Sequence, residues 1–179
     1  MSEAVRLIPL LCPKCQTPVP AQPDEVAWVC EQCRAGMLLS EEQGAVALDV
    51  FFSTSIPQNA TGRPFWVARG MVKPATRTTY RGDNSKEMRE YWSVPRLFFI
   101  PAYACQLDEM LETGTKLLRE PWIMQPGAPT RIQPVVLAPQ GVKPVAEFIV
   151  MSVEAGRGDW LKELKMDVEL DPPQLWILP

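Results

Sequence analysis

Apolar residues fall along this chain in short runs rich in β-branched and aromatic side chains, separated by polar, proline-containing stretches. Val46–Phe52 and Phe65–Val72 are two such runs, with a loop of Pro, Gly and Asn between them, and both predict strands. Thr76–Glu90 is polar and contains Arg81-Gly82-Asp83-Asn84, which predicts a loop or a hairpin with a mobile tip. Tyr91–Tyr103 turns aromatic and aliphatic again, divided by Pro95 and Pro101.

Helical spacing shows in two places. Leu107, Met110, Leu111, Leu117 and Leu118 predict a helix over Asp108–Arg119, with Asp108 and Glu109 suited to its positive N-terminal end. A second helix is predicted over Pro144–Ala155: Pro144 fits the first turn, where its missing N–H costs nothing, and Gly156 supplies the stop. Extended segments, Arg96–Ile100 and Ile132–Ala138, precede these helices. Apolar β-like sequence follows them at Trp122–Met124, Leu164–Leu170 and Leu175–Leu178. The pattern predicts an α+β domain over 44–179, a mixed and largely antiparallel sheet carrying two helices on one face. Ahead of it, 1–43 form a separate small unit.

Composition refines this picture. Apolar residues make up 46% of the 179, normal for a chain that buries a core. The 19 prolines are roughly twice the usual ~5% and are spread from Pro9 to Pro179, so they punctuate short elements and disfavour long helices. The longest candidate for a membrane span, Leu97–Leu107, is short of the ~18–20 apolar residues required and is broken by Pro101. Glu3 precedes Arg6 at the N-terminus, and only a brief apolar run follows with no small-residue cleavage site, so no signal peptide is read there. A cytoplasmic protein is expected, with cysteines kept as thiols in a reducing compartment. The chain has no histidine, which excludes serine–histidine and cysteine–histidine catalysis and removes the commonest general acid/base.

The cysteines carry the clearest chemistry. Cys12-Pro-Lys-Cys15 and Cys30-Glu-Gln-Cys33 are separated by fourteen residues, enough for an out-and-back excursion turning at Gln22-Pro23-Asp24. Each pair forms a tight knuckle whose backbone amides face the sulfurs. Glu25–Val29 leads as a strand into the second knuckle, and Ala35–Leu39 carries the chain away. Four thiolates match the tetrahedral preference of structural zinc and leave no open position for water or substrate; tetrathiolate iron is the alternative occupant. Lys14 and Gln32 within the knuckles read as solvated side chains, with softening of the −2 charge of such a centre as the alternative role of Lys14.

On these four cysteines, residues 7–40 resemble a zinc ribbon of the broad rubredoxin-like kind. The resemblance implies a fold and a metal, and ribbons of this kind bind nucleic acid in some families and only protein in others. It extends over about a fifth of the chain and says nothing of 44–179.

Charge adds a second candidate. The net charge of −3 splits into +5 between Arg63 and Arg96 and −8 elsewhere. Arg63, Trp66, Arg69, Arg77, Arg81 and Trp92 interleave cations with rings, as in surfaces that bind single-stranded nucleic acid by phosphate contact and base stacking. Arginine and tryptophan also anchor protein interfaces, and the acidic remainder repels a long polyanion, which ranks a protein partner first. The bland alternative makes Trp66 and Trp92 sheet core with the arginines on its solvent face. The fifth cysteine, Cys105, lies in an apolar neighbourhood without an activating histidine and reads as a small buried side chain. The expectation is a non-enzymatic zinc-ribbon protein that holds a macromolecular partner, with a nucleic-acid-associated accessory factor as the alternative.

Overall fold

A computed structural model describes residues 9–179. Leu7 and Ile8 of the expected ribbon, and the Glu3–Arg6 region on which the signal-peptide reading rests, lie outside the described residues.

The N-terminal sheet is an antiparallel meander of β1 (Ala27–Val29), β2 (Gly36–Ser40) and β3 (Gly44–Leu48). The β2–β3 turn is closed by Gln43 N–H donating to Ser40 Oγ at 3.2 Å, and Gly44 adopts φ +78°, a conformation side chains disfavour. The single strand expected over Val46–Phe52 is in fact two strands in two sheets. Gly44–Leu48 pairs with β2, and after Asp49 the segment β4 (Val50–Phe52) pairs in parallel with the C-terminal strand. An apolar run broken only by Asp49 carries no mark of which neighbour each half will find.

The larger sheet is built on β5 (Thr61–Thr79), 19 residues long. On one side it pairs with β6 (Arg96–Pro101). On the other it pairs in succession with β9 (Gln174–Leu178) and β8 (Leu161–Leu170), both antiparallel. Asp171-Pro172-Pro173 interrupts that partner strand, and Asp171 N–H still donates to Arg69 O at 2.8 Å. The register shifts between Pro74 and Thr76, where proline has no N–H to give the ladder. A two-residue strand, β7 (Arg131–Ile132), runs parallel to the start of β5. The mixed, mostly antiparallel α+β architecture is therefore as the pattern predicts.

Residues 64–68 of β5 are all buried because both faces of the sheet are covered. Trp66, Phe98, Ile100, Leu175 and Ile177 point into one apolar layer, and their sequence neighbours Phe65, Val67, Phe99, Trp176 and Leu178 into the other. This period-two partition follows from the alternation of side chains along a strand. Helix α3 (Val142–Ala155) fills the first layer with Ala146, Ile149, Val150 and Val153. Trp122 and Met124, expected as strand, form none and instead cap the second layer as part of a loop. Helix α2 (Leu107–Arg119) gives Leu118 to the first layer and Leu117 to the second. It approaches α3 so closely at Gly114 that any Cβ there would overlap Ile149.

Both predicted helices are present within two residues of their expected starts. A third, α1 (Ser85–Trp92), occupies part of the region read as loop or hairpin, and β5 occupies the rest through Thr79. Its buried residues Met88 and Trp92 lie four apart on one face, and Asp83 Oδ1 accepts the Ser85 N–H at 2.8 Å at its start. Eight residues with one apolar pair fall below what periodicity detects in a polar segment.

The two sheets meet at β1. Val26 N–H donates to Val135 O at 2.8 Å, Ala27 bridges Val135, and Ala27 belongs to the first apolar layer of the larger sheet.

Candidate metal centre

The two knuckles are copies of one another in backbone geometry. Cys12 N–H donates to Thr17 O and Gln16 N–H to Cys12 O; four and five residues on from Cys30, Arg34 N–H donates to Cys30 O and Cys30 N–H to Ala35 O. Gln16 and Arg34, the corresponding residues, both sit at φ +61°. Each turn thereby folds its two cysteines toward the same point.

The four sulfurs lie within 4.8 Å of one another. Cys12 Sγ is 3.6 Å from Cys33 Sγ, and Cys15 Sγ is 3.5 Å from Cys30 Sγ. Sulfurs bound tetrahedrally at about 2.3 Å from one ion are about 3.8 Å apart, whereas a disulfide needs about 2.05 Å. The arrangement is a cage for a metal ion, with Cys12 and Cys30 buried and Cys15 and Cys33 half-buried. Beneath it, Trp28 and Met37 are buried, with Trp28 Nε1 donating to Glu25 Oε2 at 2.8 Å.

Local dipoles already favour thiolates at two positions. The Cys15 and Lys14 backbone N–H groups hold Cys12 below the ordinary thiol value, against the effect of its burial. The Thr17 hydroxyl, 3.2 Å from Cys15 Sγ, and the Thr17 N–H bring Cys15 down to about 6. At Cys33 the Ala35 N–H also favours the thiolate, but burial and the three adjacent sulfurs outweigh it and push the thiol up to about 12. Thiolates crowded this closely oppose one another's ionisation. A divalent cation at their centre removes that conflict, so the donor set fits a metal bound by all four cysteines.

The arginine and tryptophan residues read as partner-binding do not form one surface. Trp66 is 1% exposed and its Nε1 donates to Leu137 O at 2.7 Å; Trp92 is 2% exposed and its Nε1 donates to Glu154 Oε1 at 2.8 Å. Arg63 is half-buried and donates twice to Pro179 O, at 2.9 and 2.7 Å. Arg69 and Arg81 are exposed, but Arg69 lies within β5 and Arg81 lies beyond its end, so the ten strand steps from Arg69 to Thr79 alone span roughly 33 Å at about 3.3 Å per residue. Burial thus corrects the role read for Trp66, Trp92 and Arg77: these side chains face the interior, where no partner reaches them.

Arg77 instead centres a buried ionic network that the sequence reading missed. It chelates Asp159 through both terminal nitrogens, with the NH2–Oδ1 contact at 2.6 Å, and its Nε donates to Glu154 Oε2 at 3.1 Å. Arg157 Nε lies 2.8 Å from both Glu154 oxygens, and Asn84 N–H donates to Asp159 Oδ2 at 2.9 Å. Every carboxylate oxygen of the pair has a donor, which is the condition for tolerating buried charge. The Arg77 hydrogen bonds hold the Asp159 carboxyl well below the usual range. Arg157-Gly158-Asp159 forms the turn that follows α3, but nothing in the sequence ties it to an arginine some eighty residues earlier.

Cys105 is half-buried, not buried, and packs against the second apolar layer. Burial, with the charge of Glu109, pushes its thiol up, the opposite of what a nucleophile needs.

The fold and site define an α+β protein whose N-terminal sheet carries a four-cysteine cage positioned to hold a metal ion. Among the described residues no helix is long and apolar enough to cross a membrane. Scans against protein-family models, curated proteins and solved structures each return no match.

Proposed function

We propose that the chain is a zinc-ribbon interaction protein, in which Cys12, Cys15, Cys30 and Cys33 bind one structural Zn²⁺ and the protein works by holding a protein partner. The carrying observation is the cage itself: four sulfurs within 4.8 Å that account for a full tetrahedral shell. A metal so enclosed has no site for substrate or water, and its work is to hold β1–β3 in place. The lack of histidine agrees with a non-catalytic role, and four thiols kept as metal ligands suit a reducing, cytoplasmic setting. The nucleic-acid reading has lost its stacking platform, since Trp66 and Trp92 are interior. The test is recovery of partners from the native cell with and without nuclease: a nuclease-resistant protein partner supports the reading, and capture that nuclease abolishes contradicts it.

A further inference from the structure

We propose that the groove between the second knuckle and the loops 53–60 and 127–131 binds an acidic peptide segment of the protein partner. The proposal rests on the protein-partner reading above and assigns that partner a site. The groove holds about 760 Å³, inside the range of roughly 300–1,000 Å³ occupied by specific ligand clefts. Among the described residues, Arg34 and Arg131 are its sole charged lining residues, one from the knuckle and one from the 127–131 loop, and no carboxylate lines it. Both arginines are exposed, and among the described residues neither is in an ion pair within 4.0 Å. In a chain of net charge −3, two unpaired guanidinium groups on a carboxylate-free cleft form a local anion site.

The walls are already fixed. Gly127 N–H donates to Phe52 O at 2.6 Å, Thr54 N–H to Gln125 O at 2.9 Å, and the Thr130 hydroxyl to Ala60 O at 2.9 Å. A Cβ at Gly127 would lie 2.8 Å from the Thr54 nitrogen, so the two loops close on each other only with glycine there. A ligand therefore meets a cleft that needs little ordering. Guanidinium groups pair with carboxylates in a bidentate fork, and the Gln58 and Asn59 amides offer both donors and acceptors to a peptide backbone. Single-stranded nucleic acid fits less well. No lining residue is aromatic, so bases find no stacking surface, and two cations make a poor track for a phosphate chain.

The test uses the full metal-loaded chain with three fluorescent probes of equal length: hexaglutamate, hexalysine and a thymidine hexamer. Hexaglutamate is expected to bind, and hexalysine is not. Arg131→Glu, remote from the cysteines, is expected to weaken hexaglutamate about tenfold or more with metal content unchanged, and Arg34→Glu, compared in the metal-loaded form, to weaken it similarly. Absence of hexaglutamate binding, or binding indifferent to both reversals, overturns the proposal. So does tighter, salt-steep binding of the thymidine hexamer that the reversals abolish. Capture of the cellular partner by wild type and the Arg131→Glu variant alike would overturn the groove while leaving the protein-partner reading intact; nuclease-sensitive capture by wild type would overturn that reading itself.

Discussion

The N-terminal sheet has a small cluster of its own, Cys12, Trp28, Cys30 and Met37, and lends Ala27, Val29, Leu38 and Leu48 to its neighbour, whereas the larger sheet buries apolar side chains on both faces and seals a satisfied ionic network beneath α1 and α3. On the zinc-ribbon proposal, the first region has too small a core of its own to stay ordered without bonds to one ion. The second stands on area removed from water, with charge tolerated because every partner is present. One protein thus uses two answers to the same entropic cost, and the two respond to different insults.

Metal removal separates them most strongly. Structural zinc in small modules contributes about 10–16 kcal/mol of apparent binding free energy. Chelation, or Cys30→Ser, should therefore unfold residues 9–48 while the larger sheet remains folded. That sheet should melt a few degrees lower, because Ala27 and the Val26–Val135 bond leave its edge. Hydrogen exchange read by region checks this: protection lost in β1–β3 and kept in β5, β6 and β9 is expected. Loss throughout would show one cooperative unit.

The converse insult is Arg77→Met. It leaves Asp159 Oδ1 with no donor and the two carboxylates with only Arg157 as a cationic partner in the interior, and a cost of about 3–5 kcal/mol is expected. Metal content should not change. Arg69→Met, on the exposed side of the same strand, should stay within about 0.5 kcal/mol. Urea midpoints of the two variants measure the contrast, and equal shifts would contradict the role given to the network.

Acid should act on the larger sheet through Asp159. Its folded pKa is depressed by Arg77, so its stabilising contribution is full above the unfolded value of about 3.9 and is lost as pH falls below that toward the folded value. Denaturant midpoints followed from pH 6 down to pH 2 should fall most steeply at the acid end, and Asp159→Asn should flatten that part of the curve. A smaller effect concerns Cys105: its raised, half-buried thiol should react with alkylating reagent more slowly than a free thiol. Labelling as fast as an unfolded control would contradict that.

What was legible in the sequence follows the same division. The cage rests on residues three apart in pairs, and local spacing carries local geometry, so Cys12, Cys15, Cys30 and Cys33 could be read at once. Helices α2 and α3 announced themselves by periodicity and by Pro144 and Gly156. The network of Arg77, Glu154 and Asp159 joins residues some eighty apart that look like surface charge wherever they are read singly. Trp92 was offered to a partner for the same reason: its burial depends on α1, whose one apolar pair was hidden among polar residues, and on Glu154 far along the chain. The break at Asp49 belongs to this group too, since pairing to β2 or to β9 is decided by topology.

The most direct measurement on the cage is metal analysis of the purified full chain combined with its visible absorbance. One zinc per chain in a colourless protein, released when the four thiols are titrated with a mercurial, is the expected result. Metal well below one equivalent with all four cysteines freely alkylated would contradict a metal cage, and an iron equivalent with tetrathiolate absorption bands would contradict zinc as its occupant.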